Sequence, residues 1–185
     1  MLSLLPNRRM TGFSLIELMI GIAVMAIVVS LSMPSYSTWI QNTKIRTASE
    51  SIQNGIQIAR AEAVKRNTPV QFDLRGASSA WTVCTEPAAP GACPNPDNAT
   101  TIQSRDVSEG SSTDIAVVTS DAAPFVFNNL GRMTSPAPAA GLVSIDVDNA
   151  ALSTTDSRDL RITINPGGST RMCDPNLPIT DARAC

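Results

Sequence analysis

The feature that most constrains this chain is a largely apolar run over residues 13–33. Within these 21 residues Glu17 is the only charged side chain, and Arg8 and Arg9 precede the run. At about 1.5 Å per residue, an α-helix of this length spans roughly 30 Å, the thickness of the hydrocarbon core of a bilayer. The sequence therefore predicts a transmembrane helix over residues 13–34, with the two arginines favouring a cytoplasmic N-terminus.

A helical repeat of apolar residues continues beyond the membrane-length run to about Arg66. The apolar positions recur at spacings of three and four, while polar side chains occupy the other faces. The repeating residues are Ile45, Ala48, Ile52, Ile56, Ala59 and Ala63. We therefore expect one long helix over residues 13–66, whose outer half lays an amphipathic face against a sheet.

After Pro69 the apolar period changes to two, which is typical of β-strands. Strands are expected over residues 70–74, 80–84, 101–107, 114–119, 124–127, 142–147, 160–164 and 169–173. A loop is expected over residues 85–100, with turns at 128–131 and 166–168. The expected fold is α+β, with a long N-terminal transmembrane and amphipathic helix packed on an antiparallel β-sheet domain over residues 35–185.

Four cysteines, Cys84, Cys93, Cys173 and Cys185, follow the predicted membrane helix. An even number of cysteines in an exported domain predicts two disulfides, although four cysteines allow three pairings. Sequence proximity favours Cys84–Cys93 and Cys173–Cys185. The alternative is a metal site, which is disfavoured because the chain has no histidine and no Cys-x-x-Cys pair. We expect neither a bound metal nor a cofactor.

The start of the apolar run carries a resemblance to a known family. Residues 12–18 read Gly-Phe-Ser-Leu-Ile-Glu-Leu, and no good small-residue cleavage site of the secretory type follows the run. This stretch resembles the class III signal of type IV pilins and type II secretion pseudopilins. The resemblance implies that residues 1–12 are a leader and that a prepilin peptidase cuts between Gly12 and Phe13. It also implies that the new Phe13 amine is methylated and that the apolar helix stays on the mature chain.

Glu17 is a carboxylate about one turn into the predicted membrane helix, where a charge is costly unless it is paired or lies near the interface. One interpretation is that its side chain reaches the lipid headgroups. The resemblance implies another, in which Glu17 meets the Phe13 amine of a neighbouring subunit during assembly. Inside an apolar filament core such a pair specifies register more than it adds stability. We favour the assembly role.

The second half of the chain resembles the GspH/FimT branch of minor pilins and pseudopilins. The residues that carry this likeness are Ala-Arg-Ala-Glu-Ala-Val-Lys-Arg-Asn over 59–67, Phe-Asn-Asn-Leu-Gly-Arg over 127–132 and Arg-Met-Cys over 171–173. The resemblance implies one of three roles: a minor pilin that primes assembly at the pilus tip, a tip pseudopilin of a type II secretion system, or a pilus-bound DNA receptor for natural transformation. We favour the first role, because covalently closed loops suit a thin fibre exposed outside the cell.

The same resemblance implies the partners and the location of the chain. The expected partners are other minor and major pilins or pseudopilins, together with the prepilin peptidase. Before assembly the chain is expected to cross the inner membrane once. After assembly it is expected in the pilus or periplasm, or at the cell surface.

Four arginines in or near the last two predicted strands are the candidate contacts for DNA phosphates: Arg158, Arg161, Arg171 and Arg183. DNA-binding relatives carry a Gly-Arg-x-Arg-like motif there, whereas residues 168–171 read Gly-Ser-Thr-Arg and retain only the second arginine. Asp174 and Asp181 offset these charges, and the formal net charge of the chain is −2. We therefore prefer the interpretation that the arginines form surface salt bridges, and DNA binding stays the alternative.

The sequence offers no pattern of catalytic residues. It contains no Gly-x-Ser-x-Gly elbow, no P-loop and no histidine to pair with a carboxylate. We therefore expect the chain to be a substrate of the peptidase and not an enzyme.

Overall fold

A computed structural model describes residues 12–85, 91, 93, 99–109, 113–121, 124–136 and 141–185. The chain divides into two compact units, the first ending at Ser37 and the second spanning Thr38–Cys185. Helix α1 (Leu15–Arg66) begins in the first unit and ends in the second. Residues 1–11 of the predicted leader lie outside the described residues.

The apolar first part of α1 contains the residues that are predicted to span the membrane. In the described part of the chain, no one helix is both long and apolar enough to cross a bilayer. The stretches Leu15–Leu31 and Ser35–Arg66 meet that requirement only when they are taken together, by length and composition. The transmembrane helix over residues 13–34 therefore stays a prediction.

The second unit contributes nine strands among the described residues: β1 (Val70–Leu74), β2 (Trp81–Thr85), β3 (Thr101–Arg105), β4 (Ile115–Thr119), β5 (Phe125–Phe127), β6 (Met133–Ser135), β7 (Val143–Asn149), β8 (Leu160–Ile164) and β9 (Thr170–Cys173). They form a first sheet of order β3-β2-β1-β5-β6 and a second sheet of order β4-β7-β8-β9, with antiparallel neighbours. The eight predicted strands are confirmed to within a few residues. Strand β6 and the division into two sheets were not predicted.

The hydrophobic core joins α1 to both sheets. The predicted apolar face of the helix is confirmed, since its six repeating residues are completely buried. The first sheet adds four aromatic side chains to this core beside aliphatic ones, and the second sheet adds aliphatic side chains from alternate positions. The aromatic residues are Phe72, Trp81, Phe125 and Phe127, and those of the second sheet include Val143, Ile145, Val147, Ile162 and Ile164. The α+β architecture expected from the sequence, a long helix packed on antiparallel strands, is therefore present.

One glycine lets the first sheet approach α1 closely. A Cβ atom at Gly55 would lie 2.7 Å from Cε2 of Phe72 and 3.0 Å from the indole of Trp81. One turn earlier, the Ser51 hydroxyl accepts a hydrogen bond of 2.9 Å from the Trp81 Nε1–H. The absence of a side chain at Gly55 therefore allows close packing of α1 on the aromatic layer of the first sheet, and the buried Ser51–Trp81 hydrogen bond joins the two elements.

Candidate functional site

The residues predicted for processing and assembly lie at the start of α1. Gly12 and Phe13 precede the helix in irregular backbone, and the Phe13 residue is 83% exposed. The Ser14 Oγ atom accepts a hydrogen bond of 3.2 Å from the backbone N–H of Glu17. Ser14 is therefore the N-cap, and α1 begins at Leu15 instead of at Phe13, where the apolar pattern alone placed it.

The sequence also contains a signal for the start of α1 at Leu15, which the spacing of apolar residues does not show. Residues 14–17 read Ser-Leu-Ile-Glu, the Ser-x-x-Glu spacing of a capping box. The capping serine places Glu17 in the first turn of α1, where the positive end of the helix dipole favours a negative side chain. The same serine that starts the helix therefore fixes the position of the carboxylate predicted to act in assembly.

Both disulfides favoured by sequence proximity are present. Cys84 and Cys93 are joined with a Cα–Cα distance of 5.9 Å, and Cys173 and Cys185 with a Cα–Cα distance of 5.1 Å. Across the described residues, no group of three or more Cys, Asp or Glu side chains is arranged to hold a metal ion.

Gly91 and Cys93 lie over the face of the first sheet that is turned away from α1. Gln71 donates a hydrogen bond of 2.7 Å from Nε2 to the Gly91 carbonyl, and the Cys93 N–H donates to Oδ2 of Asp73 at 3.1 Å. Burial raises the pKa of the Asp73 carboxyl, an effect that the Cys93 hydrogen bond partly offsets. The covered face is therefore largely polar, and its side chains bind the backbone of the disulfide-closed segment.

The second disulfide closes the C-terminal residues 173–185 into what we call the tail loop. Arg171 donates from Nη2 to the Ala184 carbonyl at 3.0 Å, and the Asp174 N–H donates to the Arg183 carbonyl at 2.8 Å. Arg183 also binds the Asp181 carboxylate at 2.9 Å. Hydrogen bonds from the Arg183 side chain and backbone lower the pKa of Asp181 to about 2. The loop is thus held by covalent, charged and backbone contacts.

Two of the four candidate DNA-binding arginines, Arg161 and Arg183, are paired with carboxylates. Arg161 binds the Asp146 carboxylate through Nε at 2.5 Å and Nη2 at 3.1 Å. Arg183 is paired with Asp181, and Arg171 is committed to the tail loop. The side chain of Arg158 is exposed at the β7–β8 connection. The structure favours the salt-bridge interpretation for Arg161 and Arg183, and DNA binding stays an untested prediction.

An open groove of about 610 Å³ runs between the last turns of α1 and the β8–β9 turn. We call it the Arg60 groove. It is lined by Gln57, Arg60, Ala61, Val64 and Lys65 of the helix, by Gly168 and Ser169 of the turn and by Thr170 at the start of β9. Nε of Arg60 donates to the Gly131 carbonyl at 3.1 Å, which fixes the guanidinium at the edge of the groove. The sequence did not predict this groove, because the pattern of residues 59–67 is that of any exposed helix end.

Family models match most of the chain. The model for type II transport protein GspH matches residues 48–168, and the model for the prokaryotic N-terminal methylation motif matches residues 7–33. No curated protein matches the chain.

Comparison with solved structures finds similar pilin-like proteins. The type IV minor pilin FimU of Pseudomonas aeruginosa, in one crystal form, aligns at 14% identity with a TM-score of 0.56, covering 77% of this chain and 95% of FimU. A second crystal form of FimU aligns at 14% identity with a TM-score of 0.51, covering 74% of this chain and 94% of FimU. The minor pseudopilin EpsH from the type 2 secretion system of Vibrio cholerae aligns at 11% identity with a TM-score of 0.49, covering 72% of this chain and 99% of EpsH.

The GspH model extends over more than half of the chain, from the outer half of α1 to the β8–β9 turn. The methylation-motif model covers the capped start of α1 and the apolar run that follows. The fold agrees with that of FimU. The chain belongs to the GspH family of pilin-like and pseudopilin-like structural subunits.

Proposed function

We propose that the chain is a minor type IV pilin that helps to prime assembly at the pilus tip. In this proposal the chain is first anchored in the inner membrane by α1. A prepilin peptidase then removes residues 1–12 and methylates the Phe13 amine. The mature chain contributes structure and contacts with other pilins, and it catalyses no reaction itself.

The observation that carries this proposal is the contrast between the two parts of α1. The second unit builds its core from α1 residues between Ile45 and Ala63, with both sheets. Earlier in the helix, large apolar side chains from Phe13 to Met33 are exposed. An exposed apolar surface that extends from Phe13 to Met33 is typical of a membrane or protein contact. Lipid before assembly and the apolar helices of neighbouring subunits afterwards would both cover it.

The first test concerns processing at Gly12. Intact-mass measurement of the membrane-bound chain should show the loss of residues 1–12 and the gain of one methyl group. Gly12→Leu should leave the full-length chain, because a bulky side chain does not fit a site shaped for glycine. Gly21→Leu is the matched control, since Gly21 also lies in open surroundings but away from the junction, and it should be processed normally. A wild-type chain that keeps residues 1–12 would contradict the proposal.

The second test concerns Glu17 in assembly. Glu17→Val should leave insertion in the membrane unchanged or improved, because the change removes a charge from an apolar segment. It should sharply reduce recovery of the chain in sheared pili, because the Phe13 amine of a neighbour loses its partner. Glu17→Gln, which keeps the size of the side chain, should fail in the same way, and Ile16→Val should assemble normally. Normal recovery of Glu17→Val in pili would show that the carboxylate is not an assembly contact.

A tip pseudopilin of a type II secretion system is the second candidate function. It is favoured by the match to the family described as type II transport protein GspH. Deletion of the gene distinguishes the two functions. Loss of surface pili with normal protein secretion supports the pilin, and accumulation of secreted enzymes in the periplasm with normal pili supports the pseudopilin.

A further inference from the structure

Helix α1 carries an exposed tryptophan just beyond its apolar first part. Trp39 is 63% exposed, whereas Trp81, the other tryptophan of the chain, is 1% exposed in the core. Tyr36 precedes Trp39 by three positions and is 62% exposed. Among the described residues of α1, no other large apolar side chain is exposed between Trp39 and Val64. The exposed apolar surface that begins at Phe13 therefore ends with two aromatic residues.

Polar contacts between α1 and the rest of the second unit begin one turn after Trp39. Asn42 donates from Nδ2 to the Asp156 carbonyl at 2.9 Å, and its Oδ1 accepts from the Arg158 N–H at 2.8 Å. Both hydrogen bonds join the helix to the connection between β7 and β8. Trp39 therefore lies at the end of the second unit where α1 enters it.

Glu17 indicates how deep α1 lies in a bilayer before assembly. A carboxylate avoids the hydrocarbon core, and an unassembled chain has no neighbouring subunit to supply an amine. Glu17 therefore belongs at the cytoplasmic edge of that core. A helix crosses about 30 Å of hydrocarbon in about 20 residues, which puts the opposite edge near Ser37. Tyr36 and Trp39 flank this position in the sequence, and their amphipathic rings are the kind enriched at membrane–water interfaces.

We propose that Trp39, together with Tyr36, is a membrane-interface anchor that binds the headgroup layer of the phospholipid bilayer before assembly. The inference rests on the proposed anchoring of the chain by α1. It goes further in placing the segment that crosses the hydrocarbon at about residues 17–37, instead of the 13–34 predicted from the apolar run.

The two placements differ in the depth that they give to Trp39. The headgroup layer on each side of the hydrocarbon is roughly 5–8 Å thick. With the hydrocarbon edge at Ser37, Trp39 lies about 3 Å beyond it along the helix, inside the layer. With the edge at Pro34, Trp39 lies about 7.5 Å beyond it, at the outer limit of the layer.

The test is quenching of tryptophan fluorescence by brominated phospholipids. The full-length chain is reconstituted in phosphatidylcholine vesicles whose bromine atoms lie either near the headgroups or near the bilayer centre. The emission of Trp39 is the difference between the wild-type chain and Trp39→Phe. It should be quenched about twofold or more better by the shallow bromines than by the deep ones. Trp39→Phe itself should hardly be quenched, because the remaining Trp81 is buried.

Two matched variants in the Trp39→Phe background calibrate the depth. Ile27, which is 62% exposed, lies midway between Glu17 and Ser37 in the sequence, so Ile27→Trp should be quenched best by the deep bromines. Thr43 is exposed and lies about 6 Å beyond Trp39 along the helix, so Thr43→Trp should be quenched by neither lipid. Peptide mapping establishes that each variant retains both disulfides before it is compared.

The outcomes separate this inference from the proposed function. Deep quenching of Ile27→Trp without quenching of Trp39 overturns the interface anchor and leaves the anchoring by α1 in place. An Ile27→Trp chain that neither lipid quenches overturns the anchoring by α1 and the interface anchor together. Quenching of Trp39 that is as strong with deep as with shallow bromines, or equal quenching of Thr43→Trp, also overturns the inference.

Discussion

Replacement of Gly168 by alanine should destabilise the second unit by about 3 kcal/mol or more. Gly168 has φ +78°, and a left-handed backbone costs an ordinary residue roughly 1–2 kcal/mol. In addition, its Cβ would lie 2.2 Å from the carbonyl oxygen of Gly131, so one of two backbone turns must move. Such overpacking typically costs about 1–3 kcal/mol more. Urea unfolding followed by tryptophan fluorescence measures the loss.

The matched control for this change is Gly76→Ala. Gly76 has φ +67°, close to that of Gly168, but apart from its chain neighbours no atom of the described residues lies within 4 Å of its added Cβ. It should therefore lose only the backbone contribution of roughly 1–2 kcal/mol. Equal losses for the two variants would show that the approach of Gly168 to Gly131 contributes nothing to stability.

A second large effect is expected at Gly55, where α1 meets the aromatic layer of the first sheet. Gly55→Leu places a side chain where even a Cβ is 2.7 Å from the buried Phe72 ring. Leucine is the better helix former by up to about 1 kcal/mol, yet overpacking should outweigh this gain and destabilise the unit by roughly 2 kcal/mol or more. The helix must move away, so the Trp81–Ser51 hydrogen bond should also be lost. Urea unfolding and the near-UV circular dichroism of the tryptophan report both changes.

Asn54→Leu is the control for the Gly55 variant. Asn54 precedes Gly55 in the same helix but is exposed, so leucine there adds volume without entering the core. A surface change of this kind usually alters the free energy of unfolding by about 0.5 kcal/mol or less. A Gly55→Leu variant as stable as this control would show that the helix and sheet tolerate a wider separation.

The sequence predicts the elements of this fold well because their periods are local. The α1 face from Ile45 to Ala63 and the alternation in β7 and β8 follow directly from the spacing of apolar residues. Strand β6 (Met133–Ser135) has only three residues, too few to show an alternating period. The division into two sheets depends on which distant strands pair, as with β1 and β5, and periodicity carries no information about that choice.

The candidate sites also divide into those formed by residues close together in the sequence and those formed by residues far apart. The motif at residues 12–18 and the cysteine pairs consist of residues close together in the sequence, so the sequence alone predicts them. The carboxylate partner of Arg161, Asp146 on the adjacent strand β7, becomes visible only once the register of β7 and β8 is known. The Arg60 groove requires the helix end and the β8–β9 turn to be brought together from more than 100 residues apart in the sequence.

The polar face beneath the Cys84–Cys93 bond determines which groups the chain exposes to water before that bond has formed. On the outer side of β1 and β2 the buried residues Gln71, Asp73 and Thr82 all carry hydrogen-bonding groups, with Val126 of β5 as an apolar neighbour. If Gly91 and Cys93 lie away from this face before the thiols are oxidised, water therefore reaches mainly groups that it solvates well. A chain in which this bond forms late should therefore expose little apolar surface at this face of the first sheet.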